Sequence, residues 1–306
     1  HNYYDNLWTL KAWKDGMAIA RILGRFDLVQ WMEGQYRSLG DSVYTSMKGA
    51  MAKHRIDYIP EYPEGTHFWA ASIAAGVSHC GELRNMPQPA LEKTFDKYYA
   101  QFMDWLKPDG VYRFTPEEMP IVETFLYMGH KDRAIELMRF MLAHQKPAAW
   151  YQWPEVVNSD ERLPTIFGDM PHTWVSAQYI SALTSFFLYE EGGTLVLAAG
   201  IPEEWVMAPG GAGIQGVYSH FGRLGLILQG KDDRVEVHIA GQVQPPDGLV
   251  LVVLDAWRPI GYDTGQALAL GALAAAALVA HGQVALVDGR LAGQGGAQVA
   301  VEIVEL

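Results

Sequence analysis

The apolar residues of this chain change period once, at Gly192-Gly193, and that switch limits the folds open to it. Before it, Tyr4, Trp8, Ala12, Ile19 and Ile22, and later Leu91, Phe95, Tyr98, Phe102 and Leu106, recur at the spacing of one helix face. After it, short apolar runs alternate with period two between Gly, Asp and Pro, the pattern of strands. The expectation is an α+β protein: a helical domain over residues 1–192 and a strand-rich domain over 193–306.

Within the helical part the spacing predicts helices over 2–23 (Gly24 as C-cap), 27–36, and 41–54, the last either separate or a continuation past Gly40. Further helices are predicted over 66–79 and 89–106, then a helical hairpin of 115–128 and 131–144 turning at Gly129. Asp169 and Pro171 are read as the start of a last helix ending near Gly192, with Asp169 more readily its N-cap than a catalytic acid. Strands are predicted over 194–199, 224–228, 234–239, 249–254, 283–287 and 298–303, and a β-sandwich is the economical arrangement. The glycines at 209–216 read as a turn in β context. Residues 267–280, rich in Ala and Leu, score equally as helix or strand.

Charge narrows the function. The formal net charge of −12, without any Lys/Arg-rich run, argues against a nucleic-acid or anionic-membrane partner and favours a neutral ligand. A single cysteine, Cys80, excludes an internal disulfide framework and a Cys-rich zinc site. No apolar run has the length of a membrane span, and Asp5, Lys11, Lys14 and Asp15 exclude a signal peptide within the sequence. Because the chain starts at His1, without a Met, inside a patterned helix, a processed or truncated product is expected.

Chemistry concentrates in WYQWPEVVNSDERLPTIFGDMPHTW, residues 150–174. This loop places Trp150, Tyr151, Trp153 and Trp174 beside Gln152, Glu155, Asp169 and His172. Flat aromatic faces suit the C–H faces of sugar rings, and carboxylates and amides suit their hydroxyls. Glu155, in an aromatic loop, is placed as a desolvated yet reachable carboxylate, or as a surface acid pairing with Arg162. Glu118 belongs to Thr115-Pro116-Glu117-Glu118, a capping box with Pro at the first helical position, unless the helix begins at Pro120 and frees both glutamates. His172, at a helix start, serves as a ligand contact or a core histidine. Asp5 beside Tyr3, Tyr4 and Trp8 either binds hydroxyls or ties helices together, and Trp69 is a further candidate platform. There is no P-loop, dinucleotide fingerprint, HExxH or GxSxG, so no cofactor or metal is expected, and no ligand spacing calls for calcium.

Three motifs in order, YDNLW, WPEVV and GDMPHTW, together with the helix leading into GGTLVLAAGIPEEW, resemble the six-hairpin glycosidase superfamily. The similarity covers most of residues 1–205 and is more distant to α-L-rhamnosidases and glucoamylase-type enzymes. The resemblance implies an α/α toroid followed by an antiparallel β-sandwich. It also implies an inverting glycoside hydrolase with a carbohydrate substrate, using carboxyls about 6.5–9.5 Å apart. It casts Glu155 as general base and His172 and Trp174 as the residues opening the last toroid helix; Tyr4, Trp150, Trp153 and Trp174 are read as sugar platforms and Trp8 as a further substrate contact. A complete six-hairpin toroid has more helices than the about seven patterned here. A preceding segment or second chain is therefore expected to complete it and to carry the acid, unless Glu118, ranked first, or Glu61 or Glu64 supplies it. Two rivals stay open: a polysaccharide lyase on the same scaffold, which needs a Tyr or His base and a basic subsite, and a non-catalytic glycan-binding or assembly module.

Overall fold

A computed structural model describes residues 2–160, 168–231, 234–252, 287–289 and 298–304. Helices and largely antiparallel sheets are mixed, as in the α+β class, and the chain divides into two compact units, residues 1–182 and 183–306, with the division inside a helix.

The first unit is helical. Helix α1 (Tyr3–Ile22) is opened by Asn2, whose side chain accepts from the Asp5 N–H, satisfying one of the donors a helix start leaves free. Its buried face of Tyr3, Leu7, Leu10 and Met17 packs on α2 (Phe26–His54). Helix α2 takes the continuous alternative: it runs through Gly34 and Gly40, and Gly40 is buried against Leu10 of α1. The two helices are tied to the turn after α3 (Ala70–Ser78) through Glu82. This fully buried carboxylate accepts from Tyr36, Tyr44 and Asn85 and pairs with Lys14 at 2.7 Å, so its charge is compensated from every side. Helix α3 is shorter than its periodicity predicts, beginning at Ala70 after an extended Trp69.

Helix α4 (Ala90–Trp105) carries the aromatic stripe of the core, with Phe95, Tyr98 and Phe102 buried. A two-residue strand β1 (Arg113–Phe114) and a 3₁₀ turn (Pro116–Glu118) lead into α5 (Met119–Tyr127), with α6 (Lys131–Ala143) returning across Gly129 as the hairpin expected. Pro120 falls at the start of α5, where no backbone donor is required of it. After strand β2 (Val157–Asn158), helix α7 (Thr173–Phe187) closes the unit.

In the second unit the chain leaves α7 directly into a hairpin, β3 (Leu188–Glu191) and β4 (Thr194–Leu197). Their two-residue Gly192-Gly193 loop is hairpin chemistry, and the run expected as helix up to Gly192 is strand from Leu188. A short helix α8 (Glu203–Met207) precedes β5 (Ala212–Ser219), β6 (Gly222–Gly230), β7 (Arg234–Val243) and β8 (Leu249–Leu251). Strands β9 (Val287–Gly289) and β10 (Gln298–Val304) complete a five-stranded sheet of order β5-β6-β7-β10-β9, and β3-β4-β8 forms a second sheet. The segment expected as a turn at 209–216 is largely β5, with a bulge between Ile214 and Val217. Two pairings are parallel, β7 with β10 and β4 with β8; the remainder are antiparallel. Period-two burial of Leu224, Leu226 and Leu228 opposite Val237 and Ile239 gives the larger sheet one apolar face. Residues 267–280, most of the predicted strand 283–287 and Trp257 lie outside the described residues. Among the described residues no helix is long and apolar enough to cross a membrane.

Candidate active site

The loop expected to carry the site is drawn against the turn before α5 by backbone pairing. Phe114 pairs with Val157 and Arg113 with Asn158, antiparallel, and Ser159 N–H donates to the Tyr112 carbonyl. Continuing that register carries the residues just after Phe114 past those just before Val157, so Glu117 is delivered to Glu155. A second pairing joins Glu155 to the start of α7: its N–H donates to the Asp169 carbonyl, and the His172 N–H donates to the Trp153 carbonyl. Gly168 makes this approach possible. It lies at φ +62°, and a Cβ there would overlap the Glu155 side chain.

Three segments thus present Glu117, Glu155 and His172 together, with one carboxylate oxygen of each glutamate and a ring nitrogen of the histidine all within 4.8 Å of one another. His172 Nε2 lies 3.3 Å from Glu117 Oε1. The Glu117 carboxyl is raised above the usual carboxylate range, first by burial and further by the charge of Glu155, while His172 draws it back. Trp174 braces the arrangement. Its indole N–H donates to the Gln178 amide oxygen at 2.8 Å, and the amide nitrogen donates to the Glu117 carbonyl at 3.3 Å.

An aromatic wall stands on α1 and the start of α3. The Tyr4 ring meets Trp8 edge-on at 6.2 Å and Trp69 at the same centroid distance, and Trp8 lies 5.9 Å from the ring of His79. The Tyr4 phenol is raised chiefly by its burial, and the charge of Glu117 adds to the rise, which relates this wall to the carboxylates. Behind Trp8, His79 Nδ1 faces the buried Glu123 at 3.4 Å, and the second Glu123 oxygen has no hydrogen-bond partner.

Several expectations require correction. Glu118 points away from this cluster: its carboxylate accepts from the Tyr98 hydroxyl at 2.5 Å and from the Thr115 N–H, the reciprocal half of the capping box. Burial pushes that carboxyl up to about 7. The adjacent Glu117 is the one that reaches Glu155, and residue spacing alone does not reveal which of two neighbouring glutamates a 3₁₀ turn aims at the site. Trp153 is 2% exposed, its indole donating to the Met141 carbonyl and its ring against Tyr179, so it is core and offers no face to a sugar. Asp169 is not an N-cap: α7 begins at Thr173, His172 immediately precedes it, and Asp169 serves through its backbone carbonyl.

The remaining candidates fall outside the cluster or at its edge. Trp150 is 60% exposed at the end of a 3₁₀ turn, Gln152 accepts the Lys146 N–H through its backbone, and Asp5 is exposed near the start of α1. Glu61 pairs with His67 at 2.5 Å in its own loop, and Glu64 is exposed. Arg162, the alternative partner of Glu155, lies outside the described residues. Glu117 and the His79–Glu123 pair went unrecognised in the sequence; the only sign of Glu117 was its place in the Thr115 capping turn.

The second unit has its own groove of about 440 Å³ on β5, β6 and β7, lined by Arg223, His238, Gln215, Gln242 and small or apolar residues. Its lining holds no carboxylate among the described residues. No protein-family model matches the chain, and no characterised protein matches it by sequence.

Proposed function

We propose that this chain is a glycoside hydrolase, or the C-terminal part of one, acting on a carbohydrate through Glu117 and Glu155. The observation that carries the reading is the delivery of these two carboxylates and His172 to one point, within 4.8 Å, from three separate segments. Glycosidic cleavage needs one carboxyl that gives a proton to the leaving oxygen and one that is ionised. Glu117 is the acid in this reading, because burial and the neighbouring negative charge both favour its protonated form. Glu155 is the ionised partner, held by Gly168 and its bond to Asp169, and Tyr4, Trp8, Trp69 and Trp174 are the sugar-facing rings. Consecutive pairing of α1 with α2 and of α5 with α6 is compatible with an α/α toroid, and the two sheets of the second unit with a β-sandwich.

With nearest oxygens within 4.8 Å of each other, Glu117 and Glu155 are close enough to act on one glycosidic bond, Glu155 serving as the general base. Against the lyase, neither glutamate forms an ion pair with Lys or Arg among the described residues, so a uronate would meet unshielded negative charge.

Substrates of different leaving ability test the assignment of the acid. Glu117→Gln should lose at least about 100-fold in turnover on natural glycosides and retain most of it on dinitrophenyl glycosides, whose leaving group needs no proton. Equal losses on both would remove Glu117 as the acid.

A further inference from the structure

The same three side chains bring two carboxylates and one imidazole together, a donor set that can also hold a cation. Elsewhere in this unit two His–Glu pairs close to hydrogen-bond contact, His130 with Glu92 at 2.6 Å and His67 with Glu61 at 2.5 Å, while His79 and Glu123 stand 3.4 Å apart. His172 and Glu117 stop at 3.3 Å, beyond the about 2.7–2.9 Å of a charge-assisted hydrogen bond. Two ligands of a tetrahedral zinc, each bonded at about 2.1 Å, lie roughly 3.4 Å apart, which is the His172–Glu117 separation. One oxygen of Glu155 lies within 4.8 Å of both the His172 nitrogen and the Glu117 oxygen. Among the described residues neither carboxylate is ion-paired with Lys or Arg, and His172 offsets the charge of Glu117.

We propose that Glu117, Glu155 and His172 form a binding site for a divalent transition-metal ion of the zinc or manganese type. The donor set selects within the divalent cations. One imidazole with two carboxylates suits zinc and manganese, whereas calcium and magnesium prefer all-oxygen shells. Three protein ligands would leave a coordination position open for water or a sugar hydroxyl. The proposal rests on the site as described and not on hydrolysis. If both readings hold, the ion occupies the carboxylates that hydrolysis requires, so metal and substrate compete.

Calorimetric titration of the chelator-treated, tag-free full chain with zinc chloride, and separately with manganese chloride, tests this directly. The expected result is one equivalent of at least one of the two ions bound, with affinity reduced at least tenfold in Glu117→Gln and in His172→Gln, both folded by circular dichroism. His130→Gln, which alters a His–Glu pair of ordinary length, should leave the affinity unchanged. No saturable binding of either ion up to millimolar concentration would overturn the proposal, as would binding that the Glu117→Gln and His172→Gln changes leave intact. The readout is independent of sugar release, so failure here is distinguishable from failure of the hydrolase reading.

Discussion

Gly168 and Glu155 are packed so closely that a single methyl group on the glycine would overlap the glutamate side chain. The glycine also sits at φ +62°, a conformation that residues with a Cβ adopt at a cost. The loop therefore has two reasons for glycine at this position, and both bear on where the Glu155 carboxylate rests.

Gly168→Ala should accordingly displace Glu155 while sparing the helices. Turnover is expected to fall about 100-fold, the size that a displacement of about 1 Å in a catalytic group produces. Circular dichroism should be unchanged. Wild-type turnover in this variant would show that the close approach has no bearing on the chemistry.

The two tryptophans of the loop should separate in their effects. Trp153→Ala removes a buried ring and its hydrogen bond to Met141, and should cost about 3–5 kcal/mol of stability in urea unfolding. Trp174→Ala, at a half-exposed position, should change stability far less and weaken glycan binding by about 1 kcal/mol. The reverse pattern would return Trp153 to the surface of the site.

Glu118 should make stability fall with rising pH. Its carboxyl is pushed up to about 7 in the folded chain, against about 4.5 when unfolded, so the folded state binds more protons between those values. Stability from this group is complete below about pH 4.5 and is lost as pH rises through 7, by an amount on the order of 3 kcal/mol. Glu118→Gln keeps an acceptor for Tyr98 and should flatten this dependence in denaturation midpoints measured from pH 5 to 8. An unchanged slope would mean that Glu118 is ionised in the fold.

The helices were legible because an amphipathic face repeats at every turn, as in Phe95, Tyr98 and Phe102 of α4. Strand β3 was not, since Tyr189-Glu190-Glu191 carries no alternation of its own and becomes strand by pairing with β4 across Gly192-Gly193. The site was legible as a region and partly as residues. Glu155 and His172 do meet, because the Glu155 N–H bonds to the Asp169 carbonyl and the His172 N–H to the Trp153 carbonyl. Trp153 was misjudged for a chemical reason: an aromatic ring is equally suited to a core and to a sugar, and only its neighbours decide. Glu117 and Glu118 differ by the phase of one 3₁₀ turn, which composition does not encode.

The central claim is that Glu155 takes part in cleaving a glycosidic bond, and sugar release from a panel of aryl glycosides and plant and microbial polysaccharides, wild type beside Glu155→Gln, tests it most directly. The account predicts release from at least one substrate by the wild type and a loss of at least about 100-fold in the folded variant. Equal release by both proteins, or none from any substrate by the folded wild type, would contradict it.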